Sequence, residues 1–233
     1  MKQKTVFSCA SCSYQTVKWL GCCPGCQEWD TFAPQEQTQK NSNPEASSGT
    51  LISMHQLEGI TSKPQQRILT GIDEWDRVMG GGIVPGSLMV LTGDPGIGKS
   101  TLLLHVSHAL AKKNTVFYFS TEESLDQVTQ RAHRLGMHEA HLHLSDKTDF
   151  LDIFNTIETL NPQFVVIDSI QNGSLRSGIH APGSISLLKE STFQLMRIAK
   201  EKNIAILITS HITKEGIIAG PKTVELMVDA VFY

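Results

Sequence analysis

Residues 93 to 101, GDPGIGKST, have the types and the spacing of a phosphate-binding loop. The motif G-x-x-x-x-G-K-[ST] runs from Gly93 through Gly98 and Lys99 to Ser100. Glycines let the backbone adopt positive φ and turn its N–H groups towards a phosphate. The lysine brings a charge to the β- and γ-phosphates, and the serine hydroxyl suits Mg²⁺. A Gly/Pro turn that fits by chance is the alternative, but the apolar run before it and the helical spacing after it favour nucleotide binding.

The motif and its neighbours define one set of residues that we expect to contact the nucleotide. This set is Gly93, Asp94, Pro95, Gly96, Ile97, Gly98, Lys99, Ser100 and Thr101.

The cysteines form a second group with recognisable chemistry. Four of the five lie in two short pairs, Cys9-x2-Cys12 and Cys23-x2-Cys26. Two such pairs with a short gap are what four thiolates need to surround Zn²⁺ as a tetrahedron. Disulfides or a redox dithiol are the competing interpretation, which the lack of a secretion signal disfavours. Cys22 replaces Cys23 only if the second pair widens by one residue, so we predict that it is a bystander.

Polar residues follow three apolar runs further along the chain. FVVIDS places Asp168 after four apolar residues, where a carboxylate would hold Mg²⁺ through water or Ser100. VFYFSTEES ends in Glu122 and Glu123, and a carboxylate at that position could orient and deprotonate the attacking water. ILITSH ends in Ser210 and His211, which suit sensing of the γ-phosphate. Each signal is weak alone, because a strand-terminal Asp is often a helix cap and a lone His is often structural.

The elements that would position these residues alternate along the chain. Six apolar runs without polar alternation are separated by amphipathic segments, which predicts an α/β fold with a mostly parallel sheet covered on both faces. Ligands of such sheets bind at the carboxyl ends of the strands. We expect a zinc knuckle over 1–32, a flexible linker over 33–50 that is rich in Gln, Asn, Ser and Pro, and the core over 51–233.

Composition excludes some classes of protein. The 233 residues are 40% hydrophobic, which suffices for one core domain with a small appendage. A net charge of −3 gives no global basic signal, so nucleic-acid binding would need local patches. No apolar run approaches the roughly 20 residues of a membrane span, and no signal peptide is evident. The expected location is the cytoplasm.

Longer stretches of the sequence carry a resemblance. WLGCCPGCQEWDTF, LTGIDEWDRVMGGGIVPGS, GDPGIGKST, STEES, VVIDSIQ and HITKEGIIAGPKTVELMVDAVFY together resemble the RecA-like ATPase family, in its bacterial DNA-repair branch. The resemblance runs from about Phe7 to the last residue. It implies a DNA-dependent ATPase that uses ATP, Mg²⁺ and Zn²⁺, acts on recombination intermediates by branch migration and assembles as a ring. Single-stranded or branched DNA and a recombinase are the partners it implies.

The resemblance also assigns roles by position. It makes residues 93–101 the nucleotide loop with Lys99 at the phosphates, Asp168 the magnesium-binding carboxylate, Glu122 the catalytic carboxylate and His211 the sensor. Glu123 is the alternative to Glu122.

Two further segments correspond to the loops that face DNA in the RecA-like fold. These are QNGSLRSGIHAPGS and TKEGIIAGPKT, which contain Arg176, Lys214 and Lys222. Their glycines would leave the loops mobile until a strand orders them.

The sequence also departs from the family. Its members continue with a Lys-Asn-Arg-Phe-Gly motif and a domain resembling the Lon protease, whereas this sequence stops at Tyr233. We therefore expect a fragment or a truncated product with weak turnover. A KaiC-like nucleotide-dependent switch or scaffold acting on protein partners is the second interpretation, but the knuckle and HITKEGIIAGPK favour the DNA-repair ATPase.

Overall fold

A computed structural model describes most of the chain as two compact units. The described residues are 6–10, 15–16, 18–24, 28–35, 54, 56–57, 66–175, 183–211 and 219–233. The first unit is Met1–Thr61 and the second is Ser62–Tyr233.

The first unit contains a small antiparallel sheet. Its strands are β1 (Val6–Cys9), β2 (Gln15–Thr16) and β3 (Phe32–Gln35), in the order β2-β1-β3. Strand β3 pairs with the whole of β1, and its last three residues, 33–35, belong to the segment predicted as linker. Residue 32 therefore begins a strand and does not end a domain, while 36–50 lie outside the described residues.

The second unit is built on a six-stranded sheet in which every pairing is parallel. The strands are β4 (Leu88–Gly93), β5 (Val116–Ser120), β6 (Leu142–Ser145), β7 (Phe164–Asp168), β8 (Ala205–His211) and β9 (Ala230–Phe232). The helices are α1 (Asp73–Val78), α2 (Lys99–Ala111), α3 (Leu125–Arg134), α4 (Phe150–Leu160), α5 (Ile185–Lys202) and α6 (Ala219–Glu225), with a short 3₁₀ helix at Ile170–Asn172. The order of the strands is β6-β5-β7-β8-β4-β9.

Helices cover both faces of this sheet because the strands are apolar on both sides. Successive residues of a strand point to opposite faces, so Phe117 and Phe119 join one core while Val116 and Tyr118 join the other. The first core includes buried residues of α4 and α5, and the second includes those of α1, α2 and α3. The prediction of an α/β fold with a parallel sheet is confirmed.

Local sequence fixes where several helices begin and end. Ser124 and Gln127 form a reciprocal capping box at the start of α3. Helices α4 and α5 end at Asn161 and Asn203, which adopt the left-handed conformation that asparagine tolerates.

One segment that was predicted to be a mobile loop is partly helical. The second predicted DNA-facing segment ends within α6, so its residues 219–223, including Lys222, are helical. No helix among the described residues is long and apolar enough to cross a membrane.

Candidate nucleotide-binding site

The carboxyl ends of four strands bring the predicted site residues to one edge of the sheet. Strand β4 ends at Gly93, which is in register with His211 at the end of β8. Strand β5 ends at Ser120, in register with Asp168 at the end of β7. Open parallel sheets bind their ligands at this edge.

The phosphate-binding loop connects β4 to α2. Gly98 has a φ of 105° directly before α2, and Gly96 has a φ of 80°, so both positions favour glycine. Both also have open space where a Cβ would stand. Ser100 and Thr101 lie in the first turn of α2, where the helix dipole favours an anion.

Lys99 is folded back onto this loop. Its side chain is buried, and its Nζ donates hydrogen bonds to the carbonyls of Gly93 and Asp94 at 2.8 and 2.9 Å. These bonds hold the ammonium at the mouth of the loop. A phosphate group bound there would be a stronger, charged acceptor for the same donor.

Asp168 is buried at the end of β7 and is only 3% exposed. Its Oδ2 accepts a hydrogen bond from the Tyr118 hydroxyl at 2.9 Å, and its Oδ1 accepts one from Thr209 Oγ1 at 2.7 Å. Asp168 was predicted from the sequence, whereas neither of its hydroxyl partners was.

Glu122 and His211 are brought together from β5 and β8. Glu122 Oε1 and His211 Nε2 are 2.5 Å apart. Burial raises the pKa of the Glu122 carboxyl, but the Ser169 hydroxyl, the His211 ring and the charge of Lys99 outweigh it and hold the pKa below the ordinary glutamate value. Glu122 is therefore ionised at neutral pH and lies within the electrostatic reach of the loop lysine.

Glu123 has a different environment. Its carboxylate forms an ion pair with Arg131 of α3, and its backbone N–H donates to Ser120 Oγ at 3.1 Å. This geometry favours Glu122 over Glu123 as the carboxylate that is available to a ligand.

Two polar bridges that were not predicted from the sequence join the strand ends. Thr121 Oγ1 donates to the Ser169 carbonyl at 2.6 Å and accepts from the Ser169 N–H at 2.9 Å. Gln171 Nε2 donates to Ser210 Oγ at 3.1 Å and to the His211 carbonyl at 3.2 Å, and its Oε1 accepts from the His211 N–H. The sequence signal for Thr121 and Gln171 was a polar residue shortly after an apolar strand. Their hydrogen-bond partners could not be predicted, because they depend on the strand order.

The Ser100 hydroxyl and the Asp168 carboxylate are oxygens of the types that Mg²⁺ prefers, and Mg²⁺ retains several waters when bound. In the described part of the chain, no lysine, arginine or histidine forms an ion pair with Asp168. A buried carboxylate held only by neutral donors is poorly compensated, and a divalent cation at Ser100 would compensate it.

The structure describes half of the predicted zinc ligands. Cys9 and Cys23 are both buried and belong to one small cluster with Phe32. Cys12 and Cys26 lie outside the described residues. Cys22 is only partly buried and pairs through its backbone with Trp29.

The predicted DNA-contacting residues are less fully described. Lys222 is exposed on α6, whereas Arg176 and Lys214 lie outside the described residues. The first predicted segment begins at Gln171, shortly after β7, and the second begins at Thr213, shortly after β8, so both begin beyond the carboxyl ends of adjacent strands.

A glycine loop between a buried strand and a helix, with carboxylates at the ends of neighbouring strands, defines a P-loop ATPase. Residues 60–216 match a family described as AAA domain, and the chain belongs to that family. Residues 7–34 match a rubredoxin metal binding domain. ATP, Mg²⁺ and Zn²⁺ are the cofactors of this combination.

Curated relatives match over the whole chain. DNA repair protein RadA of Bacillus subtilis (strain 168) is 45% identical over 237 residues, a match that covers 100% of this chain and 52% of that protein. DNA repair protein RadA of Listeria monocytogenes is 44% identical over 234 residues, again all of this chain and 51% of the relative. The chain thus spans about half the length of the curated relatives it matches.

Solved structures support the fold at lower identity. The RadB recombinase aligns with a TM-score of 0.53 and 23% identity over 70% of this chain and 81% of that chain. The flagellar accessory protein FlaH from Methanocaldococcus jannaschii aligns with a TM-score of 0.54 and 19% identity over 71% and 78% of the two chains. These likenesses establish a RecA-like fold.

Proposed function

We propose that the chain carries the core of a DNA-dependent ATPase that processes recombination intermediates by branch migration, with nucleotide binding coupled to the binding of single-stranded DNA. The identity of 43–45% to DNA repair proteins named RadA supports the DNA-repair role. Assembly as a homo-oligomeric ring and action beside a recombinase belong to the same proposal.

Nucleotide binding begins at the loop. Backbone N–H groups of the loop would surround the phosphates, and Lys99 would exchange the carbonyls of Gly93 and Asp94 for phosphate oxygens. Ser100 and Asp168 would hold the Mg²⁺, which would supply positive charge at the β- and γ-phosphates.

Hydrolysis needs a base for the attacking water, and we assign that role to Glu122. Its lowered pKa keeps the carboxylate ionised, so it can accept a proton at neutral pH. The His211 ring contacts one oxygen of this carboxylate. A γ-phosphate that attracts the His211 ring would release Glu122 for the water, which makes His211 a sensor.

One observation carries the proposed coupling to DNA. Gln171 is the first residue of the first predicted DNA-facing segment, and it bonds to Ser210 and His211 at the end of β8, shortly before the second. If His211 moved towards a bound γ-phosphate, its hydrogen bonds with Gln171 would transmit that movement to the start of the first predicted loop. The second predicted loop follows His211 in the chain and would move with it. This arrangement links the nucleotide to the segments that contain Arg176 and Lys214.

The test is the ATPase rate of the 233-residue chain with and without single-stranded DNA. We expect DNA to raise the rate in the wild type and in Lys112→Ala, an exposed control beyond α2. Lys99→Ala should abolish the rate in both conditions, because it removes the positive charge at the β- and γ-phosphates. A rate that DNA leaves unchanged would favour a switch or scaffold acting on proteins.

A further inference from the structure

Asp168 is buried and has two hydroxyl donors that are not needed for a carboxylate to bind a metal. Its two oxygens accept hydrogen bonds from different neighbouring strands, Tyr118 on β5 and Thr209 on β8. Strand β7, which carries Asp168, lies between those two strands in the sheet. The carboxylate is therefore held from both sides by hydroxyls on separate elements.

Both hydroxyl-bearing residues are buried, with Tyr118 1% and Thr209 0% exposed. With donors on both oxygens, rotation of the carboxylate about its last bond would break two hydrogen bonds at once.

An ionised carboxylate offers about four lone-pair positions, so two hydroxyl donors leave about two for other partners. Those positions suffice for water molecules of a hydrated Mg²⁺, which keeps several of its waters when bound. The two hydroxyls thus fix the direction in which Asp168 presents its remaining lone pairs.

We propose that Tyr118 and Thr209 are positioning residues that set the Mg²⁺ affinity of the nucleotide site by orienting the Asp168 carboxylate. This inference rests on the proposed role of Asp168 at the magnesium ion. Partners that orient metal ligands typically influence metal affinity by about 10- to 100-fold.

The experiment measures the Mg²⁺ concentration that gives half-maximal binding of a fluorescent ATP analogue to the full chain. Tyr118→Phe and Thr209→Val each delete a hydroxyl with little change in shape, and each should raise this concentration by about tenfold or more. Thr209→Ser keeps the donor and should restore the wild-type value. Thr192→Val is the matched control, because Thr192 is also buried but donates to the Leu188 carbonyl within α5.

Thermal unfolding without Mg²⁺ separates positioning from general damage. A merely structural role predicts that Thr209→Val and Thr192→Val lower the unfolding temperature alike and leave the Mg²⁺ dependence alike. That result would overturn the inference. In an Asp168→Asn background, we expect Tyr118→Phe to produce no further change in Mg²⁺ dependence.

The Asp168→Asn variant also distinguishes two failures. If it shifts the Mg²⁺ dependence and the hydroxyl deletions do not, only the positioning role is wrong. If Asp168→Asn itself leaves the dependence unchanged, the proposed magnesium site is wrong.

Discussion

Glu122 and Glu123 are adjacent in the chain and have opposite surroundings in the structure. Glu122 lies beside His211 and within the field of Lys99, whereas the carboxylate of Glu123 is paired with Arg131. Glu122 is thus the better candidate to act on a ligand at the sheet edge, whereas Glu123 ties the segment before α3 to the last turn of that helix.

This difference predicts separate effects of two conservative substitutions. Glu122→Gln should lower ATP turnover by about 10²- to 10⁴-fold and leave ATP affinity intact, because general-base catalysis contributes that much. Glu123→Gln should keep turnover and cost at most about 1 kcal/mol of stability, the range for a partly exposed ion pair. Single-turnover kinetics and nucleotide titrations check both. The assignment would be reversed if Glu123→Gln were the variant that stopped turnover.

Residue spacing was sufficient to predict some of the site. Asp168, Glu122 and His211 were predicted because polar residues at the ends of parallel strands share one edge. Tyr118 and Thr209 could not be predicted, since each lies inside an apolar run and resembles an ordinary core residue. Their hydroxyls lie beside Asp168 only because β7 stands between β5 and β8 in the sheet, an order that hydrophobic periodicity does not determine.

At the scale of elements, apolar runs predicted all six core strands, while the strand order needed the structure. Strand β9 lies at the edge of the sheet and pairs only with β4 among the described strands. Asp229 fastens it: its Oδ2 accepts the Leu88 N–H at 2.8 Å, and its Oδ1 accepts from Lys200 of α5 at 2.7 Å. The linker boundary and the helical Lys222 were mispredicted because polar composition conceals short elements that tertiary contacts stabilise.

Asp229 gives a pH-dependent prediction. Burial raises its pKa, but the Lys200 ammonium and the Leu88 N–H outweigh it and hold the pKa below the ordinary aspartate value. A carboxyl whose pKa is lower in the folded state than in the unfolded state stabilises the folded state at any pH above the unfolded pKa. This stabilisation is lost as the pH falls through the folded pKa. Asp229→Asn should therefore cost about 1 kcal/mol at neutral pH, and the difference should begin to shrink as the pH falls below the ordinary aspartate value of about 3.9 and disappear once it is below the lowered folded pKa.

Urea unfolding at several pH values measures this effect. Glu201→Gln, which removes an exposed carboxylate from the same helix as Lys200, is the control and should be nearly neutral throughout. A difference between Asp229→Asn and the wild type that grows on acidification would contradict the stated sign.

At the scale of the whole molecule, two units with different sources of stability share one chain. The second unit has two extensive buried cores, whereas the described core of the first unit is Cys9, Cys23 and Phe32. A unit as short as Met1–Thr61 buries little surface, and the binding energy of zinc contributes directly to folding in such units.

Zinc content tests the ligand set in the first unit. We expect about one Zn²⁺ per chain, retained by Cys22→Ser and lost by Cys9→Ser, because Cys9 is buried in the cluster and Cys22 is only partly buried. Elemental analysis of both purified variants measures the content. Equal loss of zinc from both would show that Cys22 is a ligand.

The DNA side of the proposal depends on a few cations, since the net charge is −3. Replacing Arg176, Lys214 and Lys222 together should weaken binding of single-stranded DNA and reduce the salt slope by about 0.7 for each phosphate that the variant no longer neutralises. ATP affinity should not change. An unchanged salt slope would place the DNA site elsewhere.

The most direct test of the central claim is the affinity of the chain for a labelled single strand, measured by fluorescence anisotropy with ATP, with ADP and without nucleotide. The hydrogen bonds between Gln171 and His211, which lie beside both predicted DNA loops, predict that affinity changes with the nucleotide. In Lys99→Ala the three values should coincide with that of the nucleotide-free wild type. Equal affinity of the wild type in all three conditions, with ATP binding intact, would contradict the coupling of nucleotide to DNA.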